Sequence, residues 1–242
     1  MNNSICYIVE AENFSKIPGS PISYWISEKV FDIFVQNRSI SLYGKPCKGI
    51  DTGDNNVFLR CWYEIDCRKQ FYPFDDNDID SKRYKWFPYN KGGGCRKWYG
   101  NNLYVLNWYE DGRELKSFKG SNLRNRDYYF NEGITWSTIS STDLSFRYFS
   151  RGFLFDNGGS CLFSDNNLLY IQAFLNSKIA HEFLQISPTL NSQPGDIGRL
   201  PLKIDKQKDN IIHTLVKLNI ECSKEDWDSF ETSWDFKKHP LI

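Results

Sequence analysis

The sequence predicts an α+β fold: a curved, mostly antiparallel β-sheet domain flanked by two amphipathic helices, with a short helical C-terminal extension. Three observations predict it. Short alternating segments separated by turn residues fill the chain from about residue 42 to 163. Apolar residues recur at helical spacing before and after this region. The 242 residues, 40% of them hydrophobic, suffice to bury a core without disulfides or metals.

The first segment, residues 1–40, predicts a short strand followed by a connecting helix. The strand is expected at residues 5–9 (ICYIV). Ser20 suits the N-cap of a helix over about 21–37, because serine is a preferred N-cap residue. Pro21 is compatible with the first helical position, where a backbone N–H would have no partner within the helix. The apolar face of that helix carries Ile22, Ile26, Val30, Ile33 and Phe34.

The central segment, residues 41–204, is predicted to contain the sheet. Residues 57–65 alternate between two sets of side chains, as in a strand with two differently lined faces. The acidic run at 75–80 is expected to form a polar loop, and the glycines at 92–94 mark a turn. Further strands are expected at 103–109, 134–140, 146–149 and 152–156.

The last part of the chain is predicted to be helical. Asp165 can cap a helix over about 167–186, on which Leu168, Ile171, Leu175, Ile179 and Phe183 share one face. A further helix is expected at 207–219. A capping-box pattern at Ser223 and Asp226 predicts a short helical tail within the extension, residues 205–242.

Several classes of function lack support in the sequence. The seven cysteines form no CxxC pair and the three histidines are scattered, so we expect reduced thiols and no zinc site. GxGxxG, Walker, GxSxG and HExxH motifs are absent, so no catalytic residue and no metal ligand is predicted. A magnesium-dependent nuclease using Asp51, Asp54 or Asp66 is an alternative, although carboxylates in such loops more often cap helices or stay solvated.

No apolar run approaches the about 18 residues that a membrane span needs, and the N-terminal residues lack the basic-then-apolar pattern of a signal peptide. We therefore expect a cytoplasmic protein without a membrane partner.

The charge is unevenly distributed although it sums to zero. Residues 51–80 carry 8 acidic and 3 basic side chains, whereas residues 82–126 carry 11 basic and 3 acidic ones. Residues 84–109 also hold nine aromatic side chains among these cations. Cations that neutralise phosphates and planar groups that meet bases together favour nucleic-acid binding. Aromatic residues also fill ordinary sheet cores, so the sequence leaves open whether these rings bind nucleic acid or pack in the core.

A set of polar and basic residues is suited to contact nucleic acid. The sequence SNLRNRDYYF at 121–130 places two arginines beside two asparagines, all able to contact phosphates or base edges. The turn in GIDTGDNNVFLR at 49–60 either approaches a phosphate or simply leads into a strand. The predicted contacts are Lys85, Tyr89, Lys91, Arg96, Lys97, Arg124 and Arg126, with Thr52 and Asn55 on an opposing turn.

A series of motifs resembles one known family. The motifs are IPGSPISYWISEKV (17–30), GIDTGDNNVFLR (49–60), KWFPYNKGG (85–93), RKWYGN (96–101), YYFNEGITWSTISS (128–141), FLFDNGGSCLF (153–163), FLNSKIA (174–180), GDIGRLPL (195–202) and KEDWDSFETSWDF (224–236). Together they resemble the C-terminal target-recognition region of the BREX-type PglX adenine-specific DNA methyltransferases, and more broadly of fused type II restriction–modification enzymes.

The resemblance implies a non-catalytic DNA target-recognition domain of a restriction–modification or BREX phage-defence system. In the family, a separate domain binds S-adenosylmethionine and carries an NPPY motif that grips a flipped adenine; neither that motif nor a cofactor loop occurs here. We therefore expect an excised or separately encoded fragment without a cofactor of its own. Its expected partners are double-stranded DNA, the methyltransferase domain or subunit, and other defence-system proteins. The alternative is a protein–protein docking module, because Trp and Tyr are preferred interface anchors.

Overall fold

The computed structural model describes residues 10–73, 78–139, 143–186, 191–239 and 241–242. The strand predicted at 5–9 lies outside these residues, as does part of the acidic loop predicted at 75–80. No helix in these ranges is both long and apolar enough to cross a membrane.

The helices are α1 (Ala11–Phe14), α2 (Glu28–Gln36), α3 (Asn55–Phe58), α4 (Tyr109–Ser117), α5 (Leu168–Leu175), α6 (Lys178–Gln185), α7 (Pro194–Gly198) and α8 (Asp209–Asp228). The strands are β1 (Arg38–Ser39), β2 (Lys45–Cys47), β3 (Ile50–Asp51), β4 (Leu59–Cys61), β5 (Trp86–Asn90), β6 (Tyr104–Asn107), β7 (Asn122–Leu123), β8 (Gly133–Thr135), β9 (Arg147–Phe149), β10 (Leu154–Phe155), β11 (Cys161–Phe163) and β12 (Pro201–Leu202).

The strands form two four-stranded sheets and two short ribbons. The first sheet has the order β10-β5-β6-β4 and the second the order β2-β11-β8-β9. One ribbon pairs β1 with β12 and the other pairs β3 with β7. All of these pairs are antiparallel except β10 with β5. The predicted α+β class is confirmed, with several small sheets instead of one curved sheet.

The β3–β7 ribbon is attached to the first sheet through β10. The amide of Gly49 donates to the carbonyl of Asp156 at 3.2 Å, and the amide of Asn157 donates to the carbonyl of Ile50 at 3.1 Å. This contact is parallel, like that of β10 with β5. The C-terminal ends of β3, β10 and β5 therefore lie at one margin, which we call the common edge, and β7 begins there.

The second sheet separates two hydrophobic cores. Along β11, Cys161 and Phe163 pack into the core shared with the first sheet, whereas Leu162 packs into the other core. This alternation follows from the two-residue period of a strand. The second core lies beneath the helices and contains, among others, Phe31, Ile134, Trp136, Ile171 and Ile197.

The N-terminal helix begins later than predicted. It starts at Glu28 after Ser27, and Ser20 instead adopts a left-handed conformation with φ of 48°. Ile22 is 74% exposed, so the predicted apolar face is not buried at this end. The prediction of a helix from Pro21 was wrong, because Ser20 is part of a turn and not a cap.

The helix predicted at 167–186 is two helices, α5 and α6. Asn176 lies between them and binds the backbone of Phe146: its Oδ1 accepts from the amide at 3.1 Å and its Nδ2 donates to the carbonyl at 2.9 Å. Ser177 then caps α6 by accepting from the amide of Ala180. Asp165 does not act as the N-cap, which is Asn167.

Two further boundaries differ from the sequence prediction. The strand predicted at 57–65 is the short helix α3 followed by β4, because Asp54 caps α3 by accepting from the amide of Asn56 at 2.8 Å. The helix expected at 207–219 continues to Asp228 as α8. Ser223 therefore lies inside a long helix and begins no separate tail.

Candidate nucleic-acid interface

The β3–β7 ribbon brings together the two polar segments that the sequence singled out. Asp51 of β3 pairs with Asn122 of β7, so the turn at 52–56 lies beside the segment at 121–126. Arg124 Nη1 lies 2.8 Å from Asp51 Oδ2, which joins the two segments by an ion pair. The predicted opposition of these two segments is therefore present in the fold.

The turn at 52–56 holds Asn55 in a defined position. Thr52 is only 5% exposed, and its Oγ1 donates to Asn55 Oδ1 at 2.7 Å. Thr52 thus orients Asn55 and is itself too buried to contact a ligand. Asn55 is exposed at the start of α3.

Lys91 lies at the common edge and is held by a buried carboxylate. Its Nζ lies 2.8 Å from Asp156 Oδ2, the same oxygen that lies 3.0 Å from the Tyr89 hydroxyl. Asp156 Oδ1 accepts from the amide of Gly158 at 2.6 Å. One carboxylate therefore ties the end of β5 to the turn that follows β10.

Tyr89 is part of the core and not of a binding surface. Its side chain is 1% exposed, and its hydroxyl also lies 3.1 Å from the carbonyl oxygen of Ile50. Burial, together with Asp156, raises the pKa of Tyr89 well above its usual value. The structure thus removes Tyr89 from the set of side chains that can meet DNA.

The remaining predicted cations lie elsewhere. Lys85 precedes β5 and is at the opposite end of the strand from Lys91, with Nζ 5.5 Å from the ring centre of Trp86. Lys97 Nζ donates to the carbonyl of Asn176 at the end of α5. The predicted contact residues therefore do not form one continuous surface.

Arg96 fastens the C-terminal helix to the sheets. Its Nη1 lies 2.7 Å from Asp226 Oδ2 of α8, and its guanidinium lies 5.2 Å from the ring centre of Trp227. A cation stacked on an indole and paired with a carboxylate has a structural role independent of any ligand.

Two cations near the ribbon were missed by the sequence analysis. Lys48 lies two residues before β3, and its carbonyl accepts from Asn125 Nδ2 at 2.8 Å. Lys119 is exposed beside Gly120, which packs against Gly53 of the opposing turn. Lys48 and Lys119 lie near the ribbon because β3 pairs with β7, and this pairing cannot be predicted from either segment alone. Arg126 is exposed in the same segment as Asn125.

The carboxylates of the nuclease alternative have other partners. Asp51 pairs with Arg124, Asp54 caps α3, and Asp66 Oδ2 lies 2.9 Å from Arg68 Nη2. Within the part of the chain that the structure describes, no group of three His, Cys, Asp or Glu side chains is arranged to hold a metal ion.

Comparison with known proteins gives relatives of one kind. No protein-family model matches the chain. It is 43% identical over 249 residues to the adenine-specific methyltransferase BrxX of Escherichia coli O9:H4 (strain HS), covering all of this chain and 20% of that protein. It is 40% identical over 253 residues to the adenine-specific methyltransferase PglX of Lacticaseibacillus casei (strain Zhang), covering all of this chain and 21% of that protein. Along its entire length, the chain is therefore homologous to about a fifth of two adenine-specific methyltransferases.

Proposed function

We propose that this chain is the non-catalytic DNA target-recognition part of an adenine-N6 DNA methyltransferase of a restriction–modification or BREX phage-defence system. In this proposal it docks duplex DNA while a separate S-adenosylmethionine-dependent domain methylates a flipped adenine. The observation that carries the proposal is the ribbon, which sets the turn at 52–56 against the segment at 121–126 beside the common edge. The homology to adenine-specific methyltransferases supports it.

The chemistry of the ribbon suits duplex recognition. Asn55, Asn122 and Asn125 are exposed, and asparagine amides can bond adenine edges in the major groove. The nearby guanidinium and ammonium groups of Arg126 and Lys119 can hold phosphates and so fix the register of the protein on the duplex. Extruding a base costs a few kcal/mol, so the catalytic domain needs a partner that fixes which adenine is presented.

Arg126 and Lys119 are the cations best placed to bind phosphate. Both are exposed, and neither forms an ion pair within the described parts of the chain. Arg124 is already paired with Asp51 and is 39% exposed. A DNA phosphate can therefore meet the first two without displacing a carboxylate.

The double variant Arg126→Ala/Lys119→Ala should lose most of its affinity for duplex DNA. Fluorescence anisotropy with a labelled duplex should show wild-type binding that weakens about tenfold between about 50 and 200 mM salt, as expected for two neutralised phosphates. The variant should bind about tenfold more weakly at the lower salt, and its affinity should hardly change between the two salt concentrations.

The matched control is Lys16→Ala/Lys29→Ala, which removes the same charge from exposed positions near α1 and on α2. It should bind DNA like the wild type. Equal losses in both double variants would mean that total charge, and not the ribbon, determines binding. Absence of wild-type binding even at low salt would remove the proposal.

A docking module is the second candidate, and one observation favours it. Helix α8 packs on α5, yet Ile211, Leu215 and Leu218 on another side of it are each more than half exposed. Aliphatic side chains spaced four and three residues apart form a stripe that suits a partner helix. Loss of complex assembly in Leu215→Glu/Leu218→Glu, with DNA binding unchanged, would favour docking as the main role of the chain.

A further inference from the structure

We propose that the glycine loop at 91–97 (KGGGCRK), together with the buried guanidinium of Arg147, forms a phosphate-binding site. The ligand is a phosphate group; that it comes from the DNA backbone rests on the proposed function. The site is separate from the ribbon, and it borders the common edge because Lys91 begins the loop.

The backbone of the loop presents unpaired donors. The amide N–H groups of Gly92, Gly93, Gly94 and Cys95 donate no hydrogen bond to any residue that the structure describes. Successive free amides in a glycine-rich segment form an anion-binding concavity in many phosphate sites.

Side chains around the loop bind its carbonyls and leave its amides free. Ser137 Oγ donates to the carbonyl of Gly93 at 2.6 Å, and Asn101 Nδ2 donates to the carbonyl of Gly94 at 2.9 Å. Gly92 and Gly93 have φ values of 96° and 128°, which residues with a side chain rarely adopt. These backbone conformations therefore favour glycine. Because the carbonyls of Gly93 and Gly94 already accept hydrogen bonds, the amides are the backbone groups that remain available to a ligand.

A buried cation without a counter-charge lies beneath the loop. Arg147 is 1% exposed, and its Nε and Nη2 have no hydrogen-bond partner among the described residues. Its Nη1 donates to Ser145 Oγ at 3.3 Å, and the same oxygen accepts from the amide of Arg96 at 3.0 Å. Ser145 thus links the guanidinium to the loop backbone.

Among the residues that the structure describes, no carboxylate forms an ion pair with Arg147. Burial lowers the pKa of Arg147 to about 10, so it remains a cation at neutral pH. Burial also raises the pKa of the Cys161 thiol well above its usual range, so that thiol is neutral. A buried unpaired charge costs several kcal/mol of stability, which a well-packed apolar side chain would avoid. Such a cost is typical of a residue that serves binding.

A phosphate fits these donors better than a single carboxylate does. Its tetrahedral oxygens can accept from the amides on one side and from a guanidinium on the other, while Lys91, Arg96 and Lys97 flank the loop. A Cβ built on Gly94 would have no atom within 4 Å, so this part of the loop is not packed against other residues that the structure describes. Because Arg147 is buried beneath the loop, the proposal requires the loop to move when the phosphate binds.

Thermal unfolding of the full chain in phosphate and in chloride at equal ionic strength tests the site. We expect phosphate to raise the Tm of the wild type by several degrees. Arg147→Met should match or exceed the wild-type Tm in chloride, lose the phosphate shift, and bind duplex DNA at least fivefold more weakly. Arg199→Met, which removes an exposed arginine charge after α7, should keep the phosphate shift.

The outcomes separate the two proposals. A phosphate shift that depends on Arg147 without any DNA binding would leave the site in place and remove the proposed function. If phosphate does not change the wild-type Tm, or if titrating phosphate moves no amide resonance of Gly92–Cys95, the site is wrong. A large loss of Tm in Arg147→Met with an unchanged phosphate response would assign Arg147 a purely structural role. If Arg147→Met does not fold, the phosphate titration of the wild type, followed by the amide resonances of Gly92–Cys95, tests the site instead.

Discussion

Replacing Gly49 by alanine should destabilise the protein by about 3 kcal/mol or more, or prevent folding. A Cβ on Gly49 would lie 1.9 Å from the carbonyl oxygen of Phe155 and 2.5 Å from its carbonyl carbon. Both atoms belong to the backbone of β10, which is buried between β5 and the ribbon, so no side-chain rotation relieves the clash. Urea unfolding followed by tryptophan fluorescence measures the loss.

Gly195→Ala is the matched control for this substitution. Gly195 lies inside α7, and its nearest neighbour to a new Cβ is Arg199 Nη2 at 4.0 Å. Because alanine is favoured over glycine in a helix by up to about 1 kcal/mol, this variant should be as stable as the wild type or more stable. A Gly49→Ala variant that unfolds within about 1 kcal/mol of the wild type would contradict the close approach of β10 to the ribbon.

Replacing Asp156 by alanine should cost about 2–4 kcal/mol. The change removes the acceptor shared by Tyr89 and Lys91 and the acceptor of the Gly158 amide. The ammonium of Lys91 is left with 27% of its side chain exposed and no counter-charge, and a half-buried charge without its partner is poorly solvated. The same unfolding experiment gives the magnitude.

Asp226→Ala provides the comparison, because Asp226 also pairs with a cation at similar distance. Its side chain is 61% exposed, so water replaces the lost ion pair with Arg96. We expect a loss of at most about 1 kcal/mol. If Asp226→Ala proves the more damaging change, Asp156 does not organise the common edge as described.

Local patterns located several strands, although the clearest alternation, at 57–65, corresponds to the helix α3 and the short strand β4. The segments expected at 103–109, 146–149 and 152–156 contain β6, β9 and β10. Helix boundaries were predicted less well, because distant partners decide them. The break at Asn176 depends on two hydrogen bonds to Phe146, and that contact has no trace in the local sequence.

The mixture of aromatic and basic residues in residues 84–109 did not distinguish a nucleic-acid surface from a sheet core. Strand β5 is central in its sheet, and Phe87, Pro88, Tyr89 and Asn90 are all buried. Cations can therefore occupy only the ends of this strand, where Lys85 and Lys91 lie. The composition left open whether these rings meet a ligand or fill a core. In β5 the rings of Phe87 and Tyr89 fill the core, whereas Lys85 and Lys91 lie just beyond the two ends of the strand.

The two segments of the β3–β7 ribbon were singled out in the sequence, but their strand pairing was not predicted. The segments at 49–56 and 121–126 were each singled out for their polar residues, but their pairing through β3 and β7 is visible only in the fold. The residue that follows β10, Asp156, contacts Ile50 of this ribbon. A strand of two residues has too little pattern to specify its partner. The sequence therefore identified both polar segments but not the strand pairing that brings them together.

Several cations near the proposed surfaces already face an internal acid: Lys91 faces Asp156, Arg96 faces Asp226, and Arg124 faces Asp51. A phosphate that recruits one of them must take it from its acid, and the abandoned acid then attracts a dissolved cation. Because the ion that leaves the DNA is matched by one that the acid takes up, this exchange releases few ions in total. Even tight binding through these residues would therefore depend only weakly on salt concentration. Discrimination would then depend on how well a phosphate oxygen reproduces the position of the carboxylate oxygen it replaces.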